Sequence, residues 1–154
     1  MKLKIASAFG HRHRPTIVTS VAQNSTLGED SRHFKGKDWT QVTALDWAEH
    51  SDAFFGFAPA AFAYFLPSLL ITSLDTHNMP LIAADALVAT LDTSADPDLW
   101  DDWFRDRFLR LTSAELRAIE DWSEVRFALA ERGIGTEYAR VQNTIEMLIL
   151  TVEG

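Results

Sequence analysis

Residues Ala53 to Leu74 form an uncharged run, with Phe54, Phe55, Phe57, Phe62, Tyr64 and Phe65 crowded into its first half. The run is long enough for a membrane helix, which needs about 20 predominantly apolar residues. Its flanks argue otherwise. Asp52 and Asp75 bracket it, and no Lys or Arg lies between Asp38 and Phe104 to anchor it at a cytoplasmic face. Pro67 lacks an N–H and its ring clashes with the preceding turn, so it kinks or breaks a helix. The run therefore predicts two short helices, one from Pro59 to about Leu66 and one from Pro67 to about Leu74. Helices apolar on every side form the buried centre of a larger bundle. No membrane segment is expected.

The chain has 154 residues, one domain's worth, and buries roughly 68–70% of the surface its unfolded form exposes. It contains no cysteine, which excludes disulfides, thiolate metal sites and a cysteine nucleophile. Gly10 and the basic His11–Arg14 cut the apolar N-terminal stretch too short for a secretory signal, so a cytoplasmic location is expected. Charge is spread unevenly. Up to Trp39 there are seven Lys or Arg against three acids; from Thr40 onward there are seven arginines, no lysine and nineteen acids. A single globular domain is expected, with a basic arm and surface loop over 1–39 and an acidic helical body over 40–154. The acidic body repels phosphate backbones, which excludes general nucleic-acid binding. It attracts a basic protein partner.

Helical signals recur along the body. Met1 to Phe9 reads as a short helix stopped by Gly10, and Thr16 to Ala22 is β-prone but too isolated for a sheet. Gln23 to Lys37 is polar and turn-rich, so it reads as a long surface loop. Thr43 with Asp46 marks a helix start, Asn78 with Pro80 another, and Asp96-Pro97-Asp98 a third. Thr112-Ser113-Ala114-Glu115 is a capping box, behind which Ala118, Ile119, Trp122, Val125 and Leu129 keep helical spacing. Gly133 and Gly135 stop that helix. Tyr138, Val141, Ile145, Leu148 and Val152 define the last one. The fold class is all-α: a single-domain bundle of six to seven helices with an irregular N-terminal arm.

Ala8-Phe9, Arg14-Pro15, Trp39, Ala61-Phe62-Ala63-Tyr64-Phe65-Leu66-Pro67 and Leu109 to Glu115 occur in that order. The pattern resembles a family of small bacterial proteins catalogued only as a domain of unknown function. In that family a short N-terminal helix ends in Arg-Pro, and a Tyr-Leu-Pro segment and a Leu-Thr helix start follow. Phe65 stands in place of the family's tyrosine. The resemblance implies no activity.

Candidate chemistry is sparse. His11 and His13, two apart on an extended chain, point to one side, but Arg12 and Arg14 interleave them and repel a cation. Arg14, held before rigid Pro15, is the better anion or partner contact. Asp46 and His50 stand at i and i+4, where the carboxylate would orient the imidazole. Asp96, Asp98, Asp101, Asp102 and Asp106 crowd together, yet a calcium loop needs glycine and glutamate where Asp101 and Arg107 stand. Asp101–Arg105 and Asp106–Arg110 instead fit i,i+4 pairs. No nucleophile elbow, P-loop or dinucleotide fingerprint is present. No catalytic residue, metal or cofactor is assigned.

The resulting expectation is a non-enzymatic protein-binding module of the immunity or antitoxin type. It would capture a basic partner on acidic helix faces bearing Asp96, Asp98, Asp101, Asp102, Asp106, Asp121 and Glu124. One alternative is a small-ligand protein or enzyme using Arg14, His50, His11 or His13 near an aromatic pocket. The other is a structural homo-oligomer burying the Phe54–Leu74 region. The oligomeric state is left open.

Overall fold

The computed structural model describes residues 1–21, 25–75, 81–129 and 135–154. Among them are nine α-helices: α1 (Lys2–Phe9), α2 (Thr26–His33), α3 (Ala44–Glu49), α4 (Ala53–Gly56), α5 (Pro59–Ser73), α6 (Ile82–Leu91), α7 (Asp102–Phe108), α8 (Ser113–Leu129) and α9 (Thr136–Glu153). Two 3₁₀ turns, Trp39–Gln41 and Pro97–Leu99, punctuate them. The all-α class holds, but six to seven helices is too few. Helix α1 falls where Met1 to Phe9 is expected to be helical, but α2 lies within the expected surface loop, and the Asp96-Pro97-Asp98 start opens a 3₁₀ turn rather than a helix. Asn78, Pro80 and Gly133 lie outside the described residues.

The chain forms two compact units, Phe9–Ala86 and the combination of Met1–Ala8 with Leu87–Gly154. In the first unit α5 is the centre. Every residue from Ala61 to Leu70 is buried, as helices apolar all round must be. The helix runs unbroken through Pro67, against the expectation of two helices. An interior proline costs about 3 kcal/mol, and burial of Phe62, Phe65, Leu66, Leu69 and Leu70 offsets that cost. At 15 residues α5 is about 22 Å long, short of a hydrocarbon core of about 30 Å. Among the described residues no helix is long and apolar enough to cross a membrane.

Phe34, Trp47, Phe57 and Phe65 pack their rings beside α5, with centroids 4.9 to 6.0 Å apart. Trp47 donates its indole N–H to the buried Ser68 hydroxyl at 2.9 Å, and Ser68 donates to the Phe65 carbonyl at 2.6 Å. The one polar handle on each side is thereby satisfied, which fixes how α3 sits on α5.

Helix α2 has no apolar stripe. Ser25 caps it by accepting from the Gly28 N–H, and its buried residues are the small Gly28 and Ser31. It packs through backbone proximity. A Cβ on Gly56 of α4 would lie 2.3 Å from the Leu27 carbonyl oxygen and 2.4 Å from the Ser31 hydroxyl. The Gly56 carbonyl in turn accepts from the Thr19 hydroxyl at 3.2 Å and the Ser20 N–H at 3.4 Å. Thr19 and Phe57 form one isolated antiparallel bridge, so the β-prone segment is used without a sheet.

In the second unit α8 and α9 form an antiparallel hairpin. Phe127 meets Tyr138 at 5.3 Å, Ser123 meets Gln142 at 2.7 Å, and Arg117 approaches Glu153 at 3.7 Å. The capping box at α8 is closed in both directions: the Thr112 N–H reaches Glu115 at 2.7 Å and the Glu115 N–H reaches the Thr112 hydroxyl at 3.2 Å. Lys4 of α1 pairs with Asp121 of α8. Arg140 of α9 grips Asp92 with two bonds of 2.6 and 3.0 Å.

Gly56→Ala should lower the stability of the protein by about 1–3 kcal/mol in urea unfolding, because the backbone of α2 has to retreat.

Candidate functional site

The acids expected to face a partner lie on the second unit. Asp96 caps the 3₁₀ turn by accepting from the Asp98 N–H at 3.0 Å, and Asp101 caps α7 by accepting from the Phe104 N–H at 2.8 Å. Asp96, Asp98, Asp101, Asp102 and Asp106 are all exposed. The neighbouring arginines turn toward the backbone. Arg105 donates to the Pro97 carbonyl at 3.0 Å rather than reaching out as the simple i,i+4 picture implies, and Arg110 donates to the Asp106 carbonyl. Arg107 is buried, lies 4.5 Å over the Trp103 ring and donates to the Trp103 carbonyl at 3.2 Å. Burial pulls its pKa down against the attraction of Asp106 and Asp101. Arg105 and Arg110 are exposed beside these carboxylates, whereas Arg107 is buried.

Asp121 is half-buried beside Lys4, whereas Glu124 is exposed. Between α8 and α9 lies a cleft of about 260 Å³ lined by Arg117, Glu120, Glu146, Ile149, Leu150 and Glu153. Leu150 is 62% exposed there. Among the described residues neither the Glu120 nor the Glu146 carboxylate has an ion-pair partner within 4 Å. Burial pushes Glu120 above the usual carboxylate range, opposed by Arg117 and Lys4 and reinforced by Asp121 and Glu146. Glu120, Glu146 and Glu153 were not singled out from the sequence. Glu146, Ile149, Leu150 and Glu153 do share a helical face by spacing. What the spacing lacks is the hairpin that brings that face against Arg117 and Glu120.

The histidines and Arg14 are placed in the first unit. His11 and His13 are exposed on the segment after α1. Arg14 donates to the carbonyl of Gly36, whose φ of +80° makes the turn after α2, and its charge helps hold Asp38 low after two hydrogen bonds from Thr40. Asp46 does not orient His50. Its Oδ2 accepts from the Thr43 N–H at 2.9 Å, closing a capping box, and its Oδ1 meets His33 Nε2 at 2.8 Å. His50 ends α3 as its C-cap, out of helical geometry, and its Nδ1 meets Asp30 Oδ1 at 3.1 Å. The Asp52 N–H holds the other oxygen of Asp30 at 3.0 Å. The two imidazoles stack, with centroids 3.7 Å apart and planes 16° from parallel. His33 and Asp30, read from sequence as loop residues, are therefore half of a cluster built between α2 and α3.

Stacked rings aim their in-plane lone pairs along parallel directions, so they do not converge on one ion. Among the described residues no group of three or more His, Asp or Glu is arranged to hold a metal. No protein-family model, curated protein or solved structure matches this chain.

Asp46→Ala should cost about 1–2 kcal/mol near neutral pH through loss of the capping box. Burial raises the Asp46 pKa, but hydrogen bonds from the Thr43 N–H, His33 and the Thr43 hydroxyl outweigh burial and bring it below the usual range. A lowered carboxylate pKa stabilises the fold above the unfolded value of about 3.9, and that contribution disappears as pH falls through the folded value. The gap between wild type and variant in urea unfolding should therefore narrow on acidification below about pH 4.

Proposed function

We propose that this protein is a non-enzymatic binding module of the cytoplasm, of the immunity or antitoxin type, that captures a basic protein on the acidic faces of its second unit. The observation that carries this reading is the α8–α9 cleft, where Glu120 and Glu146 have no ion-pair partner among the described residues and stand beside the exposed Leu150. A lysine or arginine from a partner matches that lining: its methylenes lie along Leu150 and Ile149 while its charge meets the carboxylates. The outward Asp96–Asp106 segment supplies the longer-range field that raises the encounter rate. The kinship suggested by Arg14-Pro15 and the aromatic-Leu-Pro segment remains part of the proposal and adds no activity to it.

The other readings draw less support. Arg14 is engaged with the Gly36 carbonyl and His50 with Asp30, so both serve the fold. The Phe54–Leu74 region keeps Phe55 as its only exposed large apolar residue, which leaves little surface for a second copy.

Capture from a native lysate should retain a basic protein at low salt and release it at high salt. Replacing Asp98, Asp101, Asp102 and Asp106 by Asn together should slow its association about tenfold or more at low salt. Unchanged kinetics would rule the acidic face out. Asn still caps α7, so the fold survives this substitution.

Glu120→Gln should weaken the captured complex and yet raise Tm at neutral pH. A carboxyl whose folded pKa is raised favours the fold below its unfolded value of about 4.3, and that advantage is lost as pH rises through the folded value. Glutamine removes the loss. The Tm gain should vanish in thermal scans below about pH 4.

A further inference from the structure

The cleft between α8 and α9 already holds a cation of the chain itself. Arg117 lines it together with Glu120, Glu146, Ile149, Leu150 and Glu153. Its Nη2 stands 3.7 Å from Glu153 Oε1, beyond hydrogen-bond reach, and the two side chains are 54 and 47% exposed. Among the described residues the guanidinium makes no closer ion pair. An open pair of that length contributes little to stability and exchanges readily. The charge of Arg117 also reaches Glu120, one turn further along α8: burial opposes ionisation of Glu120, and Arg117 favours it. We propose that Arg117 is the resident counter-ion of this cleft, displaced from Glu153 when a basic side chain of the partner enters, and that it sets how tightly the cleft takes a cation. The inference rests on the capture reading and concerns the regulation of the same site.

The reason is that two cations compete for one set of carboxylates. A lysine or arginine that lies along Ile149 and Leu150 brings its charge to Glu120 and Glu146, where Arg117 already acts. Both cations then sit in a cleft of about 260 Å³, well inside a Debye length of about 8–10 Å, so salt does not separate them. Part of the attraction supplied by the glutamates is spent against Arg117. The strain is relieved by motion of Arg117, whose exposed position and long stem let its charge move out into water. Glu153 is released to the newcomer by the same movement. A solitary cation from solution meets this repulsion with nothing else to offset it. A basic protein has the Asp96–Asp106 field in addition, so Arg117 discriminates between the two.

The test is a titration of the full chain with n-propylguanidinium chloride at constant ionic strength, followed by NMR. In the wild type the backbone signals of Glu120, Glu146, Ile149 and Leu150 should move together, and the Arg117 Nε–H signal should move with the same midpoint. Arg117→Gln should bind the probe about threefold or more tightly, and Arg117→Met, which keeps an unbranched stem, should match it. Arg117→Lys keeps the charge and should stay within about twofold of the wild type. Arg110→Gln removes the same charge from an exposed position outside the cleft and should leave binding unchanged. An equal gain in Arg110→Gln would overturn the proposal, as would an Arg117 signal that stays fixed. Probe binding in the cleft that is no tighter without Arg117 also overturns it and leaves the capture reading standing. No probe binding in either the wild type or Arg117→Gln removes both.

Discussion

The absent side chain at Gly56 sets the geometry of the first unit. With the Leu27 carbonyl and the Ser31 hydroxyl within 2.4 Å of where a Cβ would stand, α2 and α4 meet backbone to backbone. Ordinary helix pairs keep axes 8–10 Å apart because side chains intervene, and small residues remove that spacer. Several placements follow from it. Phe34, at the end of α2, reaches the ring cluster around α5, and Asp30 and His33 come level with His50 and Asp46. Even the N-terminal segment depends on this residue, since Thr19 and Ser20 both bond to its carbonyl.

The second unit is organised by charge more than by close approach. Its arginines are consumed internally: Arg105 and Arg110 by carbonyls, Arg107 by the Trp103 ring, and Arg140 by Asp92. Of these contacts only that of Arg140 is with a carboxylate, while Arg105 and Arg110 remain exposed. A net acidic surface weakens the folded state through self-repulsion. Glu120 adds to the cost, because burial and two acidic neighbours oppose its ionisation. That cost, set against binding, is the physical content of the capture reading.

How much was legible in the sequence depends on the range of the interaction. Thr43 with Asp46 and Thr112 with Glu115 are three-residue patterns that close locally, and both were readable. So was the helical period of α8 and α9, which each bury one stripe. Helix α2 was not, because Gly28 and Ser31 carry no hydropathic signal and its partner Gly56 lies far along the chain. Pro67 misled for the opposite reason. The rule that proline ends helices is local, and here burial of the surrounding side chains outweighs it. The i,i+4 pairing of Asp46 with His50 failed because His50 is a C-cap, so the spacing that would align them stops one residue short. The acidic cleft needed the α8–α9 pairing, and only half of it was written in a single helix.

The aromatic run that dominates the sequence thus has a structural meaning distinct from its hydropathy. A membrane segment satisfies its backbone internally and has no need of hydroxyls on every turn. Here Ser68, Thr72 and Ser73 bond back to carbonyls of α5 at 2.6 to 3.0 Å, and Ser68 also receives Trp47. An all-apolar helix has no preferred rotation among greasy neighbours. One buried hydroxyl with one indole donor supplies a preference, because any other rotation leaves the Trp47 N–H unpaired in the core. Trp47 belongs to α3, the same helix that carries Asp46 and ends at His50. The register of α5 against α3 therefore also helps to hold one side of the histidine stack in place, opposite the side that the Gly56 contact positions.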